Sequence, residues 1–216
     1  MATRARIGTG PGRSLAPEPA PPSRPRSLPP PGRTLRAIGF DDAPFSRERR
    51  GLVGLAGVVC AGTRFEGLVW GAVRRDGWDA TDAIVALLRG GKFLPQLHLV
   101  LLDGLGFGGF NLVDLPALAA RLERPCVAVM RRPPDLAAVE AAIARLPRPR
   151  RRLALLRAAG PVHRAGGFCF QVAGAAPEVV AAALPRLTDR GAVPEALRLA
   201  HLVAGAVRTG QSGRRA

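Results

Sequence analysis

An α/β domain built on one mixed sheet is the fold class this sequence predicts. Three observations predict it. Three apolar, strand-like segments follow one another between residues 34 and 74 with no helical pattern between them. From residue 79 onward, helix-like and strand-like segments alternate. Of the 216 residues, 47% are hydrophobic, enough for one domain with a full-sized core.

The elements follow in order. "TLRAIGF" from Thr34 reads as a strand that ends at Asp41-Asp42. After a polar turn, "GLVGLAGVVCAG" is a long apolar strand, and "RFEGLVWGAVRR" follows so closely that the two form a hairpin. In "DATDAIVALLRGG", Ala80, Ile84, Leu87 and Leu88 have helical spacing, with Asp79 placed as N-cap and Gly90 as stop. "LHLVLLD" is a continuous apolar run, the mark of a strand buried on both faces. "DLPALAARLER" is a helix with Asp114 near its cap and a proline in its first turn. "PCVAVM" is a further buried strand, and "PDLAAVEAAIARL" and the basic "PRRRLALLRAAG" are helices. "GGFCFQVAG" reads as the last strand. "PEVVAAALPRL" and "PEALRLAHLVAGAV" are helices that each open Pro-Glu, which suits the first turn and its positive dipole end.

Three strands in an antiparallel meander, then strands added in parallel through helical crossovers with helices on both faces, give a ribonuclease H-like mixed sheet. In that arrangement the first and fourth strands are parallel neighbours, and their C-terminal ends share one sheet edge.

Three domains of behaviour are expected. Residues 1–33 are rich in proline and arginine and lack periodicity, so they read as a disordered or extended arm. Residues 34–207 form the folded domain, and residues 208–216 a basic tail. The net charge of +16 favours a polyanionic partner, nucleic acid (DNA or RNA). Arginine supplies all but one of the 32 basic residues, as a coding bias toward GC-rich codons also would, so the charge is modest support. Cys60, Cys126 and Cys169 are far apart, odd in number and set in apolar segments, so they read as buried thiols of a reduced compartment. No apolar leader stands at the N-terminus, and the longest apolar stretch, 51–61, is too short to cross a bilayer. A cytoplasmic location without a membrane partner is the expectation.

The chemistry rests on carboxylates. The first strand ends in Asp41 and Asp42, and the fourth in Asp103. Neighbouring strands would bring these acids together, and close carboxylates repel one another unless a cation neutralises them. Oxygen ligands suit Mg²⁺ or Mn²⁺, which keep open positions for water and phosphate. That is a two-metal phosphodiesterase design. The intervening helix offers Asp76, Asp79 and Asp82 as a third acid, although Asp79 and Asp82 equally make a near capping box. The loop after Asp103 would meet the substrate through Gly104, Phe107, Gly108, Phe110 and Asn111, with Arg131 and Arg132 binding phosphate.

A competing reading takes Gly104, Gly106 and Gly109 as G-x-G-x-x-G, with Arg131-Arg132 at the NADP phosphate. It is the weaker one. Asp103 would place negative charge beside the pyrophosphate, and the next helix starts only near Asp114–Pro116, so the glycines open no helix. His98, His163 and His201 have no second ligand at metal spacing and read as structural.

Several segments resemble a known family: "RAIGFDDAPF", "DGWDATDAI", "LLDGLGFGGFNLVDL", "VMRRPPDL" and "VPEALRLAHLVAGAV". They resemble an uncharacterised family of endonuclease V-like proteins, the domain-of-unknown-function family numbered ninety-nine, over roughly residues 34–216. The resemblance implies a ribonuclease H-like fold and a Mg²⁺-dependent nuclease related to the enzymes that nick DNA or RNA beside deaminated purines such as inosine, a DNA-repair activity. The family aspartate ending the first strand matches Asp41 or Asp42. That of the "DG" motif matches Asp103, followed by Gly104. The endonuclease V helical glutamate has no glutamate here, and Asp79 or Asp82 stands nearest. The "PYIP" wedge is missing, and Lys92 does not match the active-site lysine. The alternative under this resemblance is a nucleic-acid-binding relative without catalysis.

Overall fold

The computed structural model describes residues 28–46 and 51–213. A seven-stranded sheet runs through the molecule. β1 (Arg36–Asp42), β2 (Leu52–Ala61) and β3 (Arg64–Arg74) form the antiparallel meander. β4 (Leu99–Asp103) joins β1 in parallel, and β7 (Cys126–Met130) joins β4 in parallel. Between them, β5 (Gly106–Phe107) and β6 (Asn111–Leu112) make a separate two-residue hairpin. β8 (His163–Ala165) and β9 (Phe168–Ala173) complete the sheet in the order β3-β2-β1-β4-β7-β9-β8.

The strand expected last is β9, but it runs antiparallel to β7 rather than parallel. The cause is β8, which escaped the sequence reading. The chain rises in β8 and turns at Gly166-Gly167, where φ is +57° and +84°, then returns as β9. The turn therefore lies at the sheet edge where β1 and β4 end.

Alternation along the strands separates two cores. Ile38, Phe40, Val100 and Leu102 face α1 (Ala80–Leu88), α2 (Leu115–Leu122), α3 (Leu136–Ala144) and α4 (Pro149–Ala158). Ala37, Leu99, Leu101, Val127 and Val129 face α5 (Pro177–Ala183) and α6 (Glu195–Thr209). Helices thus cover both faces, as expected.

α6 approaches β1 and β2 through small residues, with Ala196, Ala200 and Ala204 buried against Ala56, Val58 and Cys60. All three cysteines are free and buried. Residues 28–33 are not part of a free arm. Leu28 packs on the α5/α6-side core, and the Arg186 guanidinium donates to the carbonyls of Pro29, Pro30 and Arg33. The rest of the expected arm, residues 1–27, lies outside the described residues. The expected start of the C-terminal tail at residue 208 falls inside α6, which continues to Thr209. Among the described residues no helix is long and apolar enough to cross a membrane.

Candidate metal centre

Strand parity decides which acids meet. Asp41 shares the α6 face of β1 with Ala37, and Asp103 shares the same face of β4 with Leu99 and Leu101. His201, one turn after Leu197 on α6, reaches the same place. Each of the three offers a ligand atom, and these atoms all lie within 4.8 Å of one another. His201 Nδ1 stands 2.8 Å from Asp41 Oδ2. The other Asp41 oxygen accepts the Asp42 backbone N–H at 2.8 Å.

The electrostatics follow from burial. Asp41 is only 5% exposed. Burial first, then the charge of Asp103, push its carboxyl up to about 7, while His201 pulls the other way. Asp103 is raised by burial too, while Arg131 and, after it, His201 pull the other way. Two desolvated carboxylates side by side are the arrangement that a cation relieves.

Asp42 takes a different job. It points to the α1 side with Phe40, and its Oδ2 accepts the Gly108 N–H at 2.6 Å. Burial raises its carboxyl, and the Gly108 bond partly offsets that. Of the adjacent pair, only Asp41 joins the group.

The α1 acids stand apart from it, because α1 covers the opposite face of the sheet. Asp79 holds the N-cap position without capping α1. Its carboxylate instead accepts from the Arg74 N–H at 3.1 Å and from Asn111 Nδ2 at 2.6 Å. Asp82 is exposed and pairs with Arg121 at 2.6 Å. Asp76, at φ +50°, receives the Phe110 N–H at 2.9 Å.

The glycine loop is a tied hairpin. Gly104 has φ +77° with open space beside it, so the chain turns sharply straight after Asp103. At Gly109, φ is +95° and a Cβ would stand 2.5 Å from Asp76 Oδ1, so only glycine fits. Arg152, buried on α4, donates to the carbonyls of Asp76, Gly77 and Phe110 and so clamps the loop to the turn before α1.

Two expected substrate contacts are corrected by this packing. Phe107 is fully buried in the core and has no ring face to offer a base. Asn111 is fully buried as well, with its side chain joined to Ala80, Arg74 and Asp79. Gly108 is buried, and its N–H is committed to Asp42. Phe110 is half-buried against the same core. Gly104 borders the acids, and Arg131 and Arg132 are exposed after β7. The glycines open the β5–β6 hairpin rather than a helix, which removes the phosphate cradle that the NADP reading required.

His201 is the residue that sequence reasoning missed. Its signal was a polar side chain between Leu197 and Ala204, on the edge of an otherwise apolar helix face.

Comparisons with known proteins bear on the family and the fold. A family model described as endonuclease dU matches residues 33–208. A UPF0215 protein of Deinococcus radiodurans is 42% identical over 189 residues, covering 87% of this chain and 95% of that protein. One of Methanothermobacter thermautotrophicus is 37% identical, covering 82% and 90%. A crystal structure of a protein of unknown function from Archaeoglobus fulgidus superposes with a TM-score of 0.76 at 34% identity, over 80% of this chain and 98% of that one. Endonuclease V from Streptomyces avermitilis superposes with a TM-score of 0.53 at 15% identity, over 82% and 83%. The fold is that of endonuclease V, as the resemblance implied.

Proposed function

The chain belongs to the endonuclease dU family, a family related to endonuclease V, and from that premise we propose that it is a Mg²⁺- or Mn²⁺-dependent nuclease acting on DNA or RNA. The carrying observation is the meeting of Asp41, Asp103 and His201 within the reach of one ion. Two carboxylates and an imidazole at a sheet edge fit a small divalent cation with positions left for water and phosphate. Such an ion, when bound, makes water a nucleophile at neutral pH and neutralises charge on a leaving oxygen.

The chain's own residues do the rest. Asp41 orients His201 through the 2.8 Å contact, and α6 holds that imidazole over the strand ends. Arg131 lies near enough for its charge to act on Asp103, which supports a role for it in holding a substrate phosphate. Gly104 keeps the approach to Asp103 free of side chain. Arg152 and Asp42 fix the loop beside it, so little ordering is left for substrate binding. The family's description and the endonuclease V fold both suit a strand with a deaminated base, uracil or hypoxanthine.

The separation of Asp79 and Asp82 from the group favours a second reading, a binding protein of the same fold without catalysis. One assay decides between them. Purified protein is incubated with deoxyuridine-, deoxyinosine- and unmodified oligonucleotides, with Mg²⁺, Mn²⁺ or EDTA. Metal-dependent cleavage lost in Asp103→Asn supports the nuclease. Salt-sensitive binding without turnover supports the second reading.

A further inference from the structure

We propose that the cleft between Arg131 and Arg164 is a second phosphate subsite, holding a backbone phosphodiester of the strand whose reacting phosphate lies at Asp41 and Asp103. The inference rests on the nucleic-acid reading above and extends it from Arg131, which that reading already uses, to Arg164 and the turn between β8 and β9.

The cleft has a volume of about 400 Å³ and lies where β7 ends and β8 turns into β9. Its walls are Arg131 and Pro133 on one side, and Arg164, the Gly166-Gly167 turn and Phe168 on the other. Both guanidiniums are exposed, and among the described residues neither has an ion pair or hydrogen bond. Two cations lining one cleft repel each other, and an anion between them turns that into attraction. The turn adds no side chain, and nothing lies within 4 Å of a Cβ built on Gly167, so a phosphate can approach the backbone there.

The register sets where the cleft stands relative to the acids. Asp103 pairs with Val129, Met130 with Cys169, and Cys169 with Arg164. Arg164 is thus three strands from Asp103, about 14 Å across the sheet, and at the same edge. Arg131, one residue past the end of β7, lines the cleft, and its charge also acts on Asp103. Val129 and Phe170 share the α6 face with Asp103, whereas Met130, Cys169 and Arg164 have the opposite parity, so Arg164 leaves β8 on the α1–α4 side, and a strand longer than the bond being cut would cross the sheet edge from the acids to reach the cleft. A charged residue on an edge strand such as β8 also discourages sheet-to-sheet pairing, but that role needs no second arginine across a cleft.

The test uses the full chain with Ca²⁺ in place of the catalytic ion, and measures single-stranded oligonucleotide binding by fluorescence anisotropy over a salt series. Arg164→Gln is expected to weaken binding several-fold. It is also expected to lower the slope of log affinity against log salt by about 0.7, the value for one phosphate contact on a single strand. Arg164→Lys should recover most of the slope. In cleavage assays Arg164→Gln should raise KM for the oligonucleotide and leave kcat, and the turnover of a dinucleotide too short to reach the cleft, unchanged. Unchanged affinity and slope in Arg164→Gln would overturn the subsite while wild-type binding and cleavage left the nuclease reading standing. Equal weakening for a free mononucleotide and the oligonucleotide would overturn it in favour of a free-nucleotide site. Absence of any oligonucleotide binding by the wild type would remove the parent reading and this one with it.

Discussion

Gly39 on β1 lies directly against Ala196 on α6. A Cβ on Gly39 would stand 2.6 Å from the Ala196 carbonyl carbon and 2.6 Å from the Leu197 nitrogen. Backbone meets backbone there, and this close approach lets His201, one turn further along α6, reach Asp41. Gly39→Ala must therefore push α6 outward. The expected cost is about 1–3 kcal/mol of stability, as for other overpacked cores. Loss of metal-dependent activity should accompany it. Thermal melts and cleavage assays on the same preparation check both, and an unchanged melting temperature would show that α6 does not depend on this contact.

The carboxylates predict a pH dependence. Burial and then Asp103 raise the Asp41 carboxyl from its ordinary value to about 7, and Asp103 and Asp42 are raised as well. Between about pH 4 and pH 7 these three carboxyls hold more protons in the folded state than in the unfolded chain, so their contribution to stability falls as pH rises through that window, with His98, which burial lowers, opposing it below its ordinary value of 6.5. Urea unfolding in EDTA should show a lower midpoint at the upper end of the window. Saturating Mn²⁺ should reverse the trend, because the ion binds the ionised acids. A metal-free midpoint that rises with pH would contradict the burial of these groups.

Arg152 predicts a structural effect at a distance. It serves the carbonyls of Asp76, Gly77 and Phe110, and α4 has no other buried polar anchor to that loop among the described residues. Arg152→Leu leaves these acceptors without their donor, at about 1–3 kcal/mol for each that stays buried and unpaired. Hydrogen exchange should accelerate over residues 104–111 before the sheet is affected. Protection that stays as in the wild type would mean the hairpin holds itself.

Phe107 separates packing from recognition. It is fully buried, so Phe107→Ala should destabilise the protein by about 3–5 kcal/mol. Phe107→Leu, which keeps most of the volume, should leave oligonucleotide affinity unaltered. A variant that is stable but binds weakly would restore the base-stacking role expected from sequence.

The elements themselves were legible, because each carries a pattern. The meander, the crossover helices and the adjacency of β1 and β4 follow from apolar periodicity and short connections. β8 was not legible, because three residues are too few to show alternation, although "AGGF" marks its turn. For the site, "FDD" announced an acid without saying which. The choice rests on parity, since residues of one parity on β1 face α6 and Asp42 does not. Asp79 and Asp82 looked suitable because the sequence does not reveal which face of the sheet α1 covers. His201 looked structural because its partner, Asp41, is 160 residues away in the chain. Phe107 looked available because glycines surround it, yet its ring turns inward under the hairpin.

The most direct measurement is a Mn²⁺ titration followed by electron paramagnetic resonance, on the wild type and on single variants. The wild type is expected to hold one Mn²⁺ site that weakens at least about tenfold in Asp41→Asn, Asp103→Asn and His201→Ala and is unaltered in Asp82→Asn. A wild type without such a site, or a site lost in Asp82→Asn and kept in Asp41→Asn, would contradict the proposed centre.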